Sequence, residues 1–240
     1  MYRYEAWRSM EKILIIDGDS KPPIDGFKYV NYDRRNGRFN FNEAWDLGVS
    51  IATNERLIML DCDRLIPKSL ITRALTLKDY EVIYPKWLIN MKSDIADVES
   101  IESDRVVGDL QKISHRYQDR SGRNAFSGNY AITLNTFNSL PRYNGEEIAF
   151  CGFTDLDANQ AARLSGVKFV PLESKSIHLH HGYTIASGAF THINVKNSIA
   201  FHKIYELPLP KHISDYMSSQ KLDASYFINT SYEEILNGSN

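Results

Sequence analysis

The sequence predicts an α/β protein with a mostly parallel central sheet flanked by helices. Three observations point there. Apolar runs such as Lys12-Ile13-Leu14-Ile15-Ile16, Leu57-Ile58-Met59-Leu60 and Lys168-Phe169-Val170-Pro171-Leu172 have the length and continuity of strands buried on both faces. Amphipathic segments stand between them, as from Phe41 to Ala52, where Trp45, Val49 and Ala52 share one stripe. Two of the runs end abruptly in acids, Asp17-Gly18-Asp19-Ser20 and Asp61-Cys62-Asp63. In open α/β sheets, ligands gather outside the carboxyl ends of the strands.

The bulk composition narrows the classes. The 240 residues are 42% hydrophobic, enough for a substantial core. A formal net charge of −2 and a pI of about 6.4 give no basic field to recruit nucleic acid or an anionic membrane. No apolar run approaches the roughly 20 residues of a membrane span, so no transmembrane segment is expected. Met1-Tyr2-Arg3-Tyr4-Glu5 lacks the apolar centre of a secretory signal. Cys62 and Cys151 are the only cysteines and form no disulfide framework, which makes a reducing, cytoplasmic compartment the expectation.

Taken in order, residues 2–10 read as the end of a helix, with Tyr4, Trp7 and Met10 about a turn apart. Strands follow at Lys12–Ile16 and Phe27–Val30, and a helix from Phe41 to Ala52 that Asn40 or Asn42 can cap. After the central strand Leu57–Leu60, Pro67 permits a fresh helix over Lys68–Leu77. Tyr80–Pro85 alternates and is rich in β-branched residues, hence a strand. The charged segment 88–124 is expected to hold a helix within Val98–Tyr117, as a lid, an acceptor-binding insertion or a plain surface excursion. A strand at Tyr130–Leu134 leads to a short helical turn over 135–140 that stops at Pro141. A helix at Leu156–Leu164 and the strand Lys168–Leu172 come next. Residues 183–240 read as irregular, with one helix near Val195–Tyr205 and a break at Leu207-Pro208-Leu209-Pro210.

The acids after the central strand carry the chemistry. Alternate strand residues face the same way, so Asp61 and Asp63 can converge on one object. Two close carboxylates repel unless a cation lies between them, and Mg²⁺ or Mn²⁺ suits oxygen ligands that also meet phosphates. The alternative is a strand closing in a solvated, Asp-rich turn. Arg34, Arg35 and Arg38 form a basic cluster suited to phosphate, or a solvated loop. Gly128, in Ala125-Phe126-Ser127-Gly128-Asn129-Tyr130, allows close backbone approach to a ligand, or marks a bulge. Asp155 opens a helix, either as its cap or as a functional acid. His178, His180 and His181 crowd one tetrapeptide, and borderline metal ions accept imidazole. Phosphate loops of the G-x-x-x-x-G-K-[ST] type, G-x-G-x-x-G turns, G-x-S-x-G elbows and paired C-x-x-C motifs are absent from the sequence.

In order and spacing, these pieces resemble the inverting nucleotide-sugar glycosyltransferases of the GT-A fold, family 2 type, over roughly residues 5 to 182. Ile15-Ile16-Asp17-Gly18-Asp19-Ser20 resembles that family's VVDDGS turn, Asn42-Glu43-Ala44-Trp45-Asp46-Leu47-Gly48 its ARNxG helix, and Asp61-Cys62-Asp63 its D-x-D. Phe126-Ser127-Gly128-Asn129-Tyr130-Ala131 resembles GGN-x-A, and Gly152-Phe153-Thr154-Asp155-Leu156-Asp157 with Arg163-Leu164 resembles GFEDxDLxxRL. The resemblance implies a single domain over 1–182 with a Rossmann-like sheet, and a C-terminal extension, 183–240, packed on it. It implies a nucleotide diphosphate sugar donor, such as a UDP-sugar, and a glycan or other hydroxyl acceptor. Asp155 falls on the catalytic base. Asp17, Asp19, Arg38, Asp46, Asp61 and Gly128 fall on the donor side, and Asp63 with His178 or His180 on the Mn²⁺ or Mg²⁺ site. Two departures stand out: Thr154 replaces the Glu of the Glu-Asp pair, and the family's first strand has no counterpart ahead of residues 2–10. The competing expectation is a non-catalytic carbohydrate-binding or scaffold domain derived from a transferase. A sugar nucleotidyltransferase would need a glycine-rich phosphate loop, and a His-cluster hydrolase would keep zinc.

Overall fold

The computed structural model describes residues 9–17, 25–33, 41–91, 114–119, 125–126, 128–142, 154–179 and 188–237. The chain is α/β. Its contacts divide it into two units: Met1–Met10, Asn54–Leu140 and Ala162–Tyr183 form the first, and Glu11–Thr53, Pro141–Ala161 and Thr184–Asn240 the second.

The first unit is built on a six-stranded sheet. Its strands are β3 (Arg56–Leu60), β4 (Arg64–Leu65), β5 (Glu81–Met91), β6 (Ser114–Asp119), β7 (Asn129–Thr133) and β8 (Lys168–His178), while β1 (Ile13–Asp17) and β2 (Lys28–Tyr32) belong to the second unit. The order is β3-β7-β5-β8-β4, with β6 also on β5. The sheet is mixed rather than mostly parallel. Only β5 and β8 run parallel, while β3–β7, β5–β7, β4–β8 and β5–β6 are antiparallel. Continuous apolar runs report burial on both faces, and strand direction leaves no such trace. β5 is the central strand, buried along most of its length and longer than expected because it runs through Pro85. Proline donates no ladder hydrogen bond, and the pairing with β8 shifts register between Pro85 and Trp87 to accommodate it. β8 likewise continues past Leu172 to His178. The expected helix within Val98–Tyr117 is corrected where the chain is described: Ser114–Asp119 is a strand hydrogen-bonded to the far half of β5. The remainder of that segment lies outside the described residues.

Helix α2 (Lys68–Ala74) closes one face of this sheet. Leu70 and Ile71 are fully buried and pack with Ile66, Leu77, Ile83 of β5 and Ala131 of β7. Ile58 and Leu60 of β3 join the same cluster. Helix α3 (Leu134–Ser139) starts directly after β7, capped by the Thr133 hydroxyl, which accepts from the Thr136 N–H at 3.2 Å.

The second unit holds the parallel pair β1 (Ile13–Asp17) and β2 (Lys28–Tyr32), matched from Ile13 opposite Lys28 to Asp17 opposite Tyr32. Helix α1 (Phe41–Ser50) lies against them. A Cβ at Gly48 would stand 2.7 Å from Ile15 Cδ1, so the missing side chain lets helix and strand approach. The helix expected over residues 2–10 falls outside the described residues except for a turn at Ser9-Met10. After helix α4 (Thr154–Leu164) the unit continues in α5 (Gly188–Ile204), over the helix expected near Val195–Tyr205, and then in helices where irregular chain was expected: α6 (Lys211–Gln220), α7 (Ala224–Asn229) and α8 (Tyr232–Asn237). Each short helix has a local reason to start. Asp223 accepts from the Tyr226 N–H at 3.0 Å, and Ser231 with Glu234 makes a reciprocal capping box of 3.2 and 2.7 Å. The apolar faces of α5, α6 and α7 meet in a cluster of Val195, Ile199, Ile213 and Phe227. Among the described residues no helix is long and apolar enough to cross a membrane.

A buried polar knot ties α4 to α5. Asp157 has no exposed surface, and its Oδ1 accepts from Ser198 Oγ at 2.9 Å and from His202 Nε2 at 3.1 Å. Removing the carboxylate leaves two buried polar groups without it, a change that typically costs about 3–5 kcal/mol. Asp157→Ala should therefore lower the free energy of unfolding by roughly that amount, read from urea denaturation of the variant against the parent.

Candidate functional site

The ends of β3, β7, β8 and β5 converge on one cluster in the first unit. β3 pairs with β7 so that Leu60 lies opposite Asn129. One residue on, the Asp61 N–H donates to the Gly128 carbonyl at 2.8 Å. The chain then turns, with the Arg64 N–H donating to the Asp61 carbonyl at 3.2 Å. It re-enters the sheet as β4, where Arg64 stands opposite His178 and the Leu179 N–H donates to the Asp63 carbonyl at 2.8 Å. β8 is parallel to β5, and the matched position there is Asn90. Backbone register alone thus brings Asp61, Asp63, Arg64, Asn90, Gly128 and His178 together.

The side chains complete it. His178 Nε2 lies 2.9 Å from Asp63 Oδ2, and His178 Nδ1 lies 2.8 Å from Asn90 Oδ1. The ring is thus held between a carboxylate on one side and an amide on the other. Arg64 Nε lies 3.6 Å from Asp61 Oδ2 and 3.7 Å from Asp63 Oδ1, so one guanidinium serves both acids. Gly128 adopts φ +78°, and a Cβ there would stand 2.7 Å from Arg64 Cζ and Nε and from Asp61 Oδ2. Tyr130 is buried next to the cluster; its phenol is pushed up from the usual range, first by burial and then by the Asp61 charge. Phe126 packs edge-on against it at 4.7 Å between ring centroids.

The expected site residues divide between the two units. Asp61, Asp63, His178 and Gly128 are in this cluster. Asp155 belongs to the second unit, in the first turn of α4; its Oδ1 accepts from the Leu156 N–H at 3.0 Å, and its carbonyl from Asn159 Nδ2 at 2.5 Å. Asp46, in α1 of the same unit, forms an ion pair with Arg142. Arg142 is held further by Tyr205, whose hydroxyl accepts from the Arg142 N–H at 3.0 Å and donates to its carbonyl at 2.6 Å. Burial lowers the Arg142 guanidinium to about 10. Asp17 is the last residue of β1. The Asp17 side chain, Asp19, Arg38 and His180 lie outside the described residues. Sequence reasoning missed Arg64 and Asn90. Asn90 ends the apolar run Trp87-Leu88-Ile89 as Asp61 ends Leu57–Leu60, so the same signal marks both.

A carboxylate oxygen and an imidazole nitrogen are suitable donors for a divalent ion such as Mn²⁺. Asn90 is the kind of outer partner that orients a ligating histidine. Asp63 and His178 fit as two ligands of an open site; among the described residues no group of three His, Cys, Asp or Glu side chains is assembled for a metal.

No known protein family matches the chain, and no curated protein matches it by sequence. Its fold is similar to that of GalNAc-T7 as crystallised with UDP, GalNAc and Mn²⁺. The likeness has a TM-score of 0.52 at 14% identity and covers 95% of this chain and 52% of that one. The chain therefore spans about half the length of that structure. A structure described as a glucose-1-phosphate thymidylyltransferase from Bacillus anthracis, in complex with sucrose, aligns at 13% identity over 79% of this chain and 69% of its own. Its TM-score of 0.35 is too low to carry an argument. The shared feature is the fold, a mixed α/β architecture.

Gly128 ties the cluster to its backbone. Gly128→Ala meets both a left-handed φ and a filled space, and should destabilise the protein by at least about 1–2 kcal/mol. Thermal unfolding of the variant against the parent measures it.

Proposed function

We propose that the protein is a metal-dependent glycosyltransferase. In this reading it moves a sugar from a nucleotide diphosphate sugar to a hydroxyl of a glycan or polysaccharide, with inversion at the anomeric carbon. The observation that carries the reading is the 2.9 Å approach of Asp63 to His178, beside Asp61 and Gly128 at the ends of sheet strands. A fold of glycosyltransferase type supports it.

The donor side falls to Asp61, which accepts from the ribose, and to Gly128, whose bare Cα admits the donor close to the backbone. Asp17, Asp19 and Arg38 contribute to the nucleoside and its phosphates, and Asp46 acts through Arg142, a cation suited to phosphate oxygens. Asp63 and His178 would hold Mn²⁺ or Mg²⁺, which when bound supplies positive charge for the departing diphosphate. Asp155 takes the proton from the acceptor hydroxyl as that oxygen bonds to the anomeric carbon and the bond to the diphosphate breaks.

Two substitutions separate these roles. Asp155→Asn should lower turnover about 10²–10⁴-fold and leave nucleotide binding intact. Asp63→Ala should weaken Mn²⁺ and nucleotide diphosphate binding together. Release of nucleoside diphosphate over a panel of nucleotide sugars with Mn²⁺, alongside calorimetric titration with the nucleotide, measures both. Normal sugar transfer by Asp155→Asn would remove the proposed base.

A further inference from the structure

The arginine that follows the two acids has no part in the mechanism above, yet it occupies the same space. Its side chain is only 9% exposed, and its Nε reaches both Asp61 and Asp63 within 3.7 Å. A Cβ on residue 128 would stand 2.7 Å from the guanidinium's Cζ and Nε, so the glycine keeps room for it. Arg64 also stands opposite His178 across the β4–β8 pairing. A divalent ion between Asp63 and His178 would therefore find a positive charge already in contact with one of its own ligands.

We propose that Arg64 is a resident counter-cation of the Asp61–Asp63 pair, and that it sets how tightly the site takes a divalent metal. The inference rests on the metal-site reading given above. Two cations sharing one carboxylate in a partly buried place repel, and surface screening does not remove that repulsion. Arg64 thus weakens metal binding in the absence of donor. The negative pyrophosphate of an incoming donor offers the guanidinium an alternative partner in the fork geometry it favours. Metal loading is in this way coupled to donor binding, and the free protein is kept from holding the ion alone.

The test is a titration of the purified protein with Mn²⁺ alone, followed by the electron paramagnetic resonance of the free ion. Arg64→Met removes the charge and should tighten Mn²⁺ binding about 10-fold or more. Arg64→Gln is the second neutral variant and decides the question if Arg64→Met does not fold. Arg64→Lys keeps the charge and should bind within about 3-fold of the parent. Asp63→Asn should lose the site. Unchanged or weaker binding by the neutral variants, with binding still lost in Asp63→Asn, overturns the role of Arg64 and leaves the metal site standing. Parent-like binding by Asp63→Asn, or no binding by any of these proteins, overturns the metal site and this inference with it.

Discussion

Two carboxylates at the end of a buried strand repel each other, and the first unit depends on how that repulsion is met. Carboxylates that face a common space are stabilised by a neighbouring cation or by hydrogen-bond donors. Arg64 is the neighbour the chain itself supplies, in contact with Asp61 and Asp63 at once. It reaches them because the chain turns back after Asp63 and re-enters the sheet as β4, two residues long. That short strand is enough to pin the turn, since Leu179 donates to the Asp63 carbonyl from the other side. The left-handed Gly128 and the antiparallel β3–β7 pairing fix the remaining wall.

His178 is placed by the same logic, from the opposite direction. β8 runs parallel to β5 and antiparallel to β4, so one residue is matched to Asn90 on one side and Arg64 on the other. An imidazole flanked by an amide oxygen and a carboxylate is fixed in orientation before any ligand arrives. The extension of β8 beyond Leu172 is what carries it there, and the buried Ser176 and Ile177 hold that extension in the sheet.

What the sequence made legible follows from which forces leave a local mark. The apolar run 57–60 and its terminal acids, the helix after Pro67 and the strand before Thr133 all announce themselves by period and punctuation. Strand direction does not, which is why a mixed sheet read as mostly parallel. β6 was hidden for a different reason: Ser114-His115-Arg116-Tyr117-Gln118-Asp119 is too polar to look like a strand and is one only because β5 offers it a partner. The helices past residue 207 carry readable marks of their own, above all Ser231 with Glu234 three residues on. Within the site, the acids and the histidine stood out as residue types, whereas Asn90 and Arg64 acquire meaning only through register.

Asp155 and Asp157 show why a residue type alone does not fix a role. They lie two positions apart in the first turn of α4. A helix turns about 100° per residue, so side chains two apart point to nearly opposite sides. Asp157 faces α5 and is consumed there by Ser198 and His202, with no surface left. Asp155 is directed away from that contact and retains part of its surface. Both match the acidic pattern from which a base was inferred, yet only the one turned from the packing face can meet a substrate. The buried acid nevertheless bears on the exposed one. By fixing the rotation of the helix about its axis, its two hydrogen bonds fix the direction in which Asp155 points, which is the rigidity the proposed role of a base requires.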